Sequence, residues 1–427
     1  MKNERLYRRG RLMVIIEAAL EYFIQLCVTT TLLTAILNYM NVTTALQGTI
    51  AAIVSLANSV QLIAVFAVKK TYPCKRWVNI LNLFTQLCFA VLYCIPQLEF
   101  STGFKTAVFI LLLLLAYVCK AWLSPSQVNW QMSLVDDNHR GRFTAKKEMV
   151  SLVGGIVFSQ AAGIALDYFE AKNDMRTCFV IFGITITVLA LLNFAASVAT
   201  PEPEPENTPP VKKSSEIIKA VFGSPELKRV TFFDMAYVIS TASSHFISVY
   251  LVNTLGFSYT YIAAMGIGAA LTRTLVSPYT GRLADKKSCA FALKVCMLTN
   301  AAAFTFLAVA NAKTCAYFYP AYLLLNAFSL SGAGAGRTNL GLDYAKNEDR
   351  RYILGIMASL SGLAGFLTTL LYSAFVDYVE KNSNTLFGIH VYPQQVLLLI
   401  SAVMMLILAL AVLPKLKKPD RCLNEAK

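Results

Sequence analysis

The stretch TPEPEPENTPPVKKSSEIIKAVFGSPE, Thr200 to Glu226, alternates proline with glutamate and then turns basic, with no apolar face long enough to bury. Composition of this kind predicts a solvated, fairly stiff linker. Long apolar runs fill the chain on both sides of it, and the two flanks resemble each other. Asn138-His139-Arg140-Gly141-Arg142-Phe143 has a counterpart in Asn347-Glu348-Asp349-Arg350-Arg351-Tyr352, and Leu166-Asp167-Tyr168-Phe169-Glu170 in Val376-Asp377-Tyr378-Val379-Glu380. Both matches fall at an offset of roughly 210 residues, the mark of a parallel internal repeat. The chain therefore reads as two copies of one membrane unit, residues 1–200 and 227–427, joined by a linker over 201–226.

Composition supports the membrane assignment. Of 427 residues, 56% are hydrophobic and 15% charged, with a mean hydropathy of +0.55; a soluble chain carries about 25% charge. The apolar runs reach the ~20 residues that a helix needs to cross a hydrocarbon core, and they lack the alternation of a barrel wall. The formal charge of +14 is explained by its distribution. If alternate loops are assigned to the side of the N-terminus, that side holds 29 Lys and Arg against 5 on the other. This positive-inside bias predicts cytoplasmic termini and linker, in a plasma (cytoplasmic or inner) membrane, and leaves no nucleic-acid partner to invoke. Ten scattered cysteines without a CxxC, and three distant histidines, predict neither a disulfide framework nor a metal site. No cofactor motif is present, so none is expected.

Hydropathy windows place twelve spans, near 12–40, 44–68, 77–96, 106–134, 148–168 and 177–199, then 230–255, 258–281, 289–311, 315–343, 352–378 and 394–413. Between the eighth and ninth lies Gly281-Arg-Leu-Ala-Asp285-Lys286-Lys287, whose repeat-equivalent between the second and third retains only Lys75 and Arg76. Here the chain resembles the major facilitator superfamily, which carries a cytoplasmic signature of Gly, three residues, Asp and basic residues at these two places. Ser288 stands where that signature usually has a second Gly. The resemblance implies an all-α membrane protein with twelve transmembrane helices in two six-helix bundles related by a pseudo-twofold axis. From the residues themselves, Gly281 permits close backbone approach or a turn. Asp285, among basic residues at the membrane edge, can bridge to a neighbouring helix end when one face is closed. Gating roles are expected for Gly281, Asp285 and Lys286, and for Asp137, Arg140, Arg142, Asp349 and Arg350, which end the fourth and tenth spans; topology-setting charge is the competing reading.

Ionisable residues inside spans are costly unless they face a partner or water, so function is their default reading. They are Glu17 and Glu21, Lys120, Asp234 and His245, Arg273 and Arg337. The resemblance implies that the first, fourth, seventh and tenth helices line a central cavity, where most of these residues fall. Glu17 and Glu21 lie one turn apart on one helix face, which Gln25 continues, and two desolvated carboxylates this close suit proton coupling. Lys120 and Arg273 would attract an anionic group of a solute or neutralise Glu21 or Asp234. Arg337 and Asp234, nearer the cytoplasmic ends, suit snorkelling or gating. His245 can shuttle a proton or hydrogen-bond to its Ser and Thr neighbours. Glycines at 154–155, 163, 266, 268, 332–336, 362 and 365 predict close helix packing.

The expectation is a monomeric secondary active carrier. It would move a small polar or amphipathic solute, with an anionic or zwitterionic one favoured by the three interior cations, by alternating access coupled to protons or another ion. A transporter-like sensor without turnover and a multidrug efflux carrier are the alternatives. No catalytic constellation suggests an enzyme, and no nucleotide-binding loop suggests a primary pump.

Overall fold

Apolar runs of this length fold as helices because lipid offers no partner for backbone N–H and C=O groups, which must then be satisfied within the segment. In the computed structural model, which describes residues 2–61, 63–64, 73–135, 140–203, 223–311, 313–344, 350–386 and 388–416, helices dominate. They are α1 (Lys2–Cys27), α2 (Thr30–Tyr39), α3 (Thr44–Ala51), α4 (Ile53–Asn58), α5 (Lys75–Leu92), α6 (Thr102–Met132), α7 (Arg140–Ala171) and α8 (Met175–Ala199). After the linker come α9 (Pro225–Ser240), α10 (Tyr259–Lys286), α11 (Cys289–Ala308), α12 (Cys315–Asp343), α13 (Arg350–Lys381) and α14 (Pro393–Ile407). Before α14, β1 (Thr385–Leu386) and β2 (Ile389–His390) form a two-stranded antiparallel hairpin.

Among the described residues, nine helical segments are long and apolar enough to cross a membrane. The other three expected spans differ for physical reasons. The second is described as the short helices α3 and α4, and residues 62 and 65–72 lie outside the described part. The eighth and tenth form full-length helices, α10 with 28 residues and α12 with 29. Gly, Ser, Thr and arginine (Arg273 and Arg282 in α10, Arg337 in α12) dilute their hydropathy without shortening them. Large apolar side chains turn outward on the long helices, as on Leu111, Val157, Leu275 and Leu371, each more than 65% exposed; outside a bilayer such a belt would aggregate.

The chain forms two compact units, residues 1–43, 63–211 and 258–263 in one and 44–62, 212–257 and 264–427 in the other. The expected division at the linker is thus modified by two exchanged segments. Residues 44–62 group with the second unit, where Ser373 Oγ donates to the Ala45 carbonyl at 2.7 Å and a Cβ on Gly362 would stand 2.4 Å from the Ser55 carbonyl oxygen. Residues 258–263 group with the first, because the Asp167 carboxylate accepts from the backbone N–H of Tyr259 at 2.9 Å and of Thr260 at 2.8 Å, capping the start of α10.

The linker reading also needs correction at its start. Thr200 is fully buried, and Trp130 Nε1 donates to the Pro201 carbonyl at 3.0 Å. A Cβ on Gly10 would lie 2.7 Å from Pro201 Cδ. The Glu202 carboxylate accepts from the N–H of Cys74 (2.5 Å) and of Lys75 (3.2 Å), so it caps the first turn of α5. Glutamate read as a solvated charge is here a helix cap, favoured by the positive end of the helix. Residues 204–222, the rest of the linker, lie outside the described part.

Candidate functional site

The first predicted span is not one helix. α1 ends at Cys27, and Thr29, with an extended backbone, precedes α2. Thr29 Oγ1 donates to the Gln25 carbonyl at 2.8 Å, the side-chain back-bonding that competes with the helical ladder. The Cys27 carbonyl freed by the break accepts instead from Tyr93 Oη at 2.5 Å. The seventh span breaks in the same manner. α9 stops at Ser240, whose hydroxyl donates to the Tyr237 carbonyl at 2.7 Å, and Thr241 Oγ1 donates to the Val238 carbonyl at 3.1 Å. A 3-10 segment, Ala242–Phe246, follows, held by a 2.7 Å hydrogen bond between Ser401 and Ser243. Interrupted spans place polar backbone at membrane depth, which is tolerated only inside protein or along a water-filled path.

In the first unit, α1 and α6 bring four predicted and unpredicted groups together. Lys120 forms an ion pair with Glu21, their side chains about one-fifth exposed. Gln127 Nε2 donates to Glu17 Oε1 at 2.8 Å and reaches Glu21 Oε2 at 3.5 Å. Glu17 is fully buried, and its Oε2 accepts no hydrogen bond among the described residues. Pro125 sits inside α6 between Lys120 and Gln127; lacking an N–H, it loosens the ladder there. Two carboxylates share one ammonium, so the cluster has a net charge of −1 when all three ionise and zero when one carboxylate holds a proton.

Behind the cluster lies a layer of amides that the charge survey did not reach. Asn193 Nδ2 donates to the Glu17 backbone carbonyl at 2.8 Å. Its Oδ1 accepts from Asn82 at 3.2 Å and from Gln86 at 3.0 Å. Ser197 donates to Asn79 Oδ1 at 2.7 Å. The third and sixth spans carry no interior charge, yet both present polar groups to the core of the unit. The available signal was spacing: Asn79, Asn82 and Gln86 recur at i, i+3 and i+7, one face of a helix.

In the second unit, Arg337 Nε donates to Asp234 Oδ1 at 2.7 Å, and Ser361 Oγ donates to Asp234 Oδ2 at 2.5 Å. The guanidinium also lies 4.3 Å from the centre of the Tyr237 ring, a cation–π contact. Arg337 is therefore fixed to a buried partner rather than extended toward the membrane edge. Arg273 is exposed on α10 and forms no ion pair among the described residues. His245 is half-buried in the 3-10 segment beyond the break. Gln25 contributes its backbone carbonyl to the break in the first span.

The gating set is only partly described. Gly281 lies within α10, and among the described residues nothing stands within 4 Å of the position a Cβ would take, so neither a turn nor a close approach to them uses it. Lys286 is exposed at the end of that helix. Asp137 and Asp349, and the side chains of Arg140, Arg142, Asp285 and Arg350, lie outside the described part.

Comparison with known proteins follows the same architecture. A family profile described as Major Facilitator Superfamily matches residues 15–369. Among solved structures, a mutant form of the nucleoside transporter NupG superposes with a TM-score of 0.73 at 12% identity, and another NupG structure with 0.69 at 14%. Each covers 96% of this chain and 100% of its own. A bacterial homologue of the human lysosomal transporter Spinster, inward-facing and unoccupied, superposes with 0.57 at 15% identity, covering 96% of this chain and 95% of its own. No curated protein matches the sequence.

Proposed function

Because the chain belongs to the Major Facilitator Superfamily, and is therefore a multi-pass membrane transporter of a small molecule rather than an enzyme, we propose that it is a proton-coupled secondary carrier. Residues 1–200 and 227–427 would be its moving halves and Glu17, Glu21, Lys120 and Gln127 its coupling cluster. The observation that carries this reading is the two-to-one ratio of carboxylates to ammonium. A cluster that changes between −1 and zero by taking up one proton, on a helix already interrupted at membrane depth, can exchange that proton for conformational preference. The positive-inside bias supports cytoplasmic termini in a plasma or inner membrane.

For the solute, the geometry changes the emphasis. Of the three cations that favoured an anionic solute, Lys120 and Arg337 are held by carboxylates within their own units. A neutral polar or zwitterionic solute, with Arg273 as the cation still open to it, is the better supported class. Nucleosides belong in the first panel because the two NupG structures share this fold, a likeness of fold alone.

The test is transport in proteoliposomes. Counterflow should identify a solute that exchanges across the membrane, which a non-transporting sensor would not do. An imposed pH gradient should then drive accumulation by the native chain, and Glu21→Gln or Glu17→Gln should abolish gradient-driven transport while counterflow continues. Accumulation that still follows the gradient in both variants would refute the coupling assignment.

A further inference from the structure

At the start of α1, away from the carboxylate cluster, a cleft of about 950 Å³ opens between that helix and the beginning of α7. Its rim is basic, with Arg5, Arg8, Arg9 and Arg11 from α1 and Lys146 from α7. Arg5, Arg8 and Arg9 follow helical spacing, so one face presents all three. Among the described residues none of them forms an ion pair, and neither does Lys146. Arg11 is partly committed, donating from Nη1 to the Leu134 carbonyl at 3.2 Å.

Two further observations indicate what this charge awaits. First, Arg5, Arg8 and Arg9 gather within the opening turns of α1 without an ion pair among the described residues, so an anion would relieve their mutual repulsion. Second, the cleft is not aqueous on every side. Leu6 and Leu12 line it while remaining about half exposed. Ile15 and Phe143 close its floor, packed with Val14, Leu134 and Val135 into a buried cluster that fixes α1 against α7. A basic rim over an apolar wall, at the end of a membrane span, matches a ligand with a phosphate head and hydrocarbon behind it.

We infer that the cleft bounded by Arg5, Arg8, Arg9 and Lys146 binds the phosphate of an anionic phospholipid from the leaflet on the N-terminal side. Leu6 and Leu12 contact its glycerol and upper acyl carbons. The arginine fork suits phosphate oxygens, and the volume falls within the range of small-ligand sites.

The experiment is thermal unfolding of the full chain in mild detergent, titrated separately with dioctanoyl phosphatidylglycerol, dioctanoyl phosphatidylcholine and inorganic phosphate. A ligand that prefers the folded protein raises its melting temperature saturably. Phosphatidylglycerol should do so, whereas the zwitterionic lipid and free phosphate should not at the same concentrations. The triple variant R5Q/R8Q/R9Q should need roughly a hundredfold more phosphatidylglycerol for the half-maximal shift. If that variant does not purify as a single species, Arg8→Gln and Lys146→Gln each substitute for it, with roughly a fivefold rise expected. The inference is overturned if the native chain does not respond to phosphatidylglycerol. It is equally overturned by an equal response to phosphatidylcholine, by free phosphate matching the lipid, or by variants that keep the native lipid requirement.

Discussion

Arg337 in α12 and Asp234 in α9 form an ion pair at 2.7 Å, and it repeats, within the second unit, the pairing of Lys120 in α6 with a carboxylate of α1. Arg337 follows Lys120 by 217 positions, and Asp234 follows Glu17 by the same 217, although Lys120 pairs with Glu21, one turn further along α1. Each unit thus ties an acid on its broken first span to a base on its fourth. The copies have diverged in the surplus: the first keeps a second carboxylate, Glu17, held by Gln127, while the second gives both Asp234 oxygens partners in Arg337 and Ser361 and holds Arg337 against Tyr237. Only the first retains an acid beyond the one its base can neutralise.

The second-unit pair should behave as a structural tie. Asp234→Asn or Arg337→Gln leaves one charge in a largely desolvated site and should cost about 1–3 kcal/mol, below the range for fully buried pairs because Arg337 is 24% exposed. The double variant should recover at least half of that loss. Arg337→Lys should remain destabilised, having lost the planar contact with Tyr237. Thermal unfolding of the four proteins checks this; strictly additive losses would mean the pair contributes nothing of its own.

Gln127 should matter more to stability than the carboxylate it serves. Gln127→Leu removes a side-chain donor from the buried Glu17 and should cost about 1–3 kcal/mol. Glu17→Gln is nearly isosteric and should change stability by less than about 1 kcal/mol while removing an ionisable group. Melting temperatures in the reverse order would show that the amide is incidental.

Glu202 and Cys74 offer a chemical readout of the docked linker. Burial, and then the neighbouring Glu202 carboxylate, push the Cys74 thiol from 9.0 up to about 12. The folded chain therefore holds this proton more tightly than the unfolded one. The site's contribution is fully present below about pH 9 and falls as pH rises toward 12. At neutral pH a maleimide should label the exposed Cys94 and spare Cys74. Glu202→Ala should cost about 0.5–2 kcal/mol as a lost cap and make Cys74 reactive. Equal labelling of Cys74 in both proteins would contradict the docked arrangement.

Glycines that look alike in sequence should separate on substitution. In Gly362→Ala the new methyl meets the Ser55 backbone oxygen at 2.4 Å, which no rotamer change relieves. A loss of about 1–3 kcal/mol is expected from such overpacking. Gly268→Ala meets nothing within 4 Å among the described residues, and should stabilise the helix by about 0.5–1 kcal/mol. Unfolding curves with the two effects equal or reversed would exclude this packing.

The legibility of this chain follows from what each kind of residue must satisfy locally. A run of ~20 apolar residues has one solution in lipid, so the helices and the doubled architecture could be read directly from composition and spacing, as could the need of Glu17, Glu21, Lys120, Asp234 and Arg337 for polar partners. Partnership could not be read, because a charge in a span states that a partner is required without stating which. Only the tertiary structure gave Lys120 to Glu21 and Arg337 to Asp234, and assembled Asn79, Asn82, Gln86 and Asn193, whose neutral amides leave little trace in a charge count. The breaks at Thr29 and Thr241 were hidden for a related reason. A threonine in a helical run becomes a break only when other groups, such as the Tyr93 hydroxyl that donates to the Cys27 carbonyl, satisfy the backbone that the helix releases. Glu202 shows the same limit from the solvent side, since a glutamate among prolines reads as linker until a helix start is placed against it.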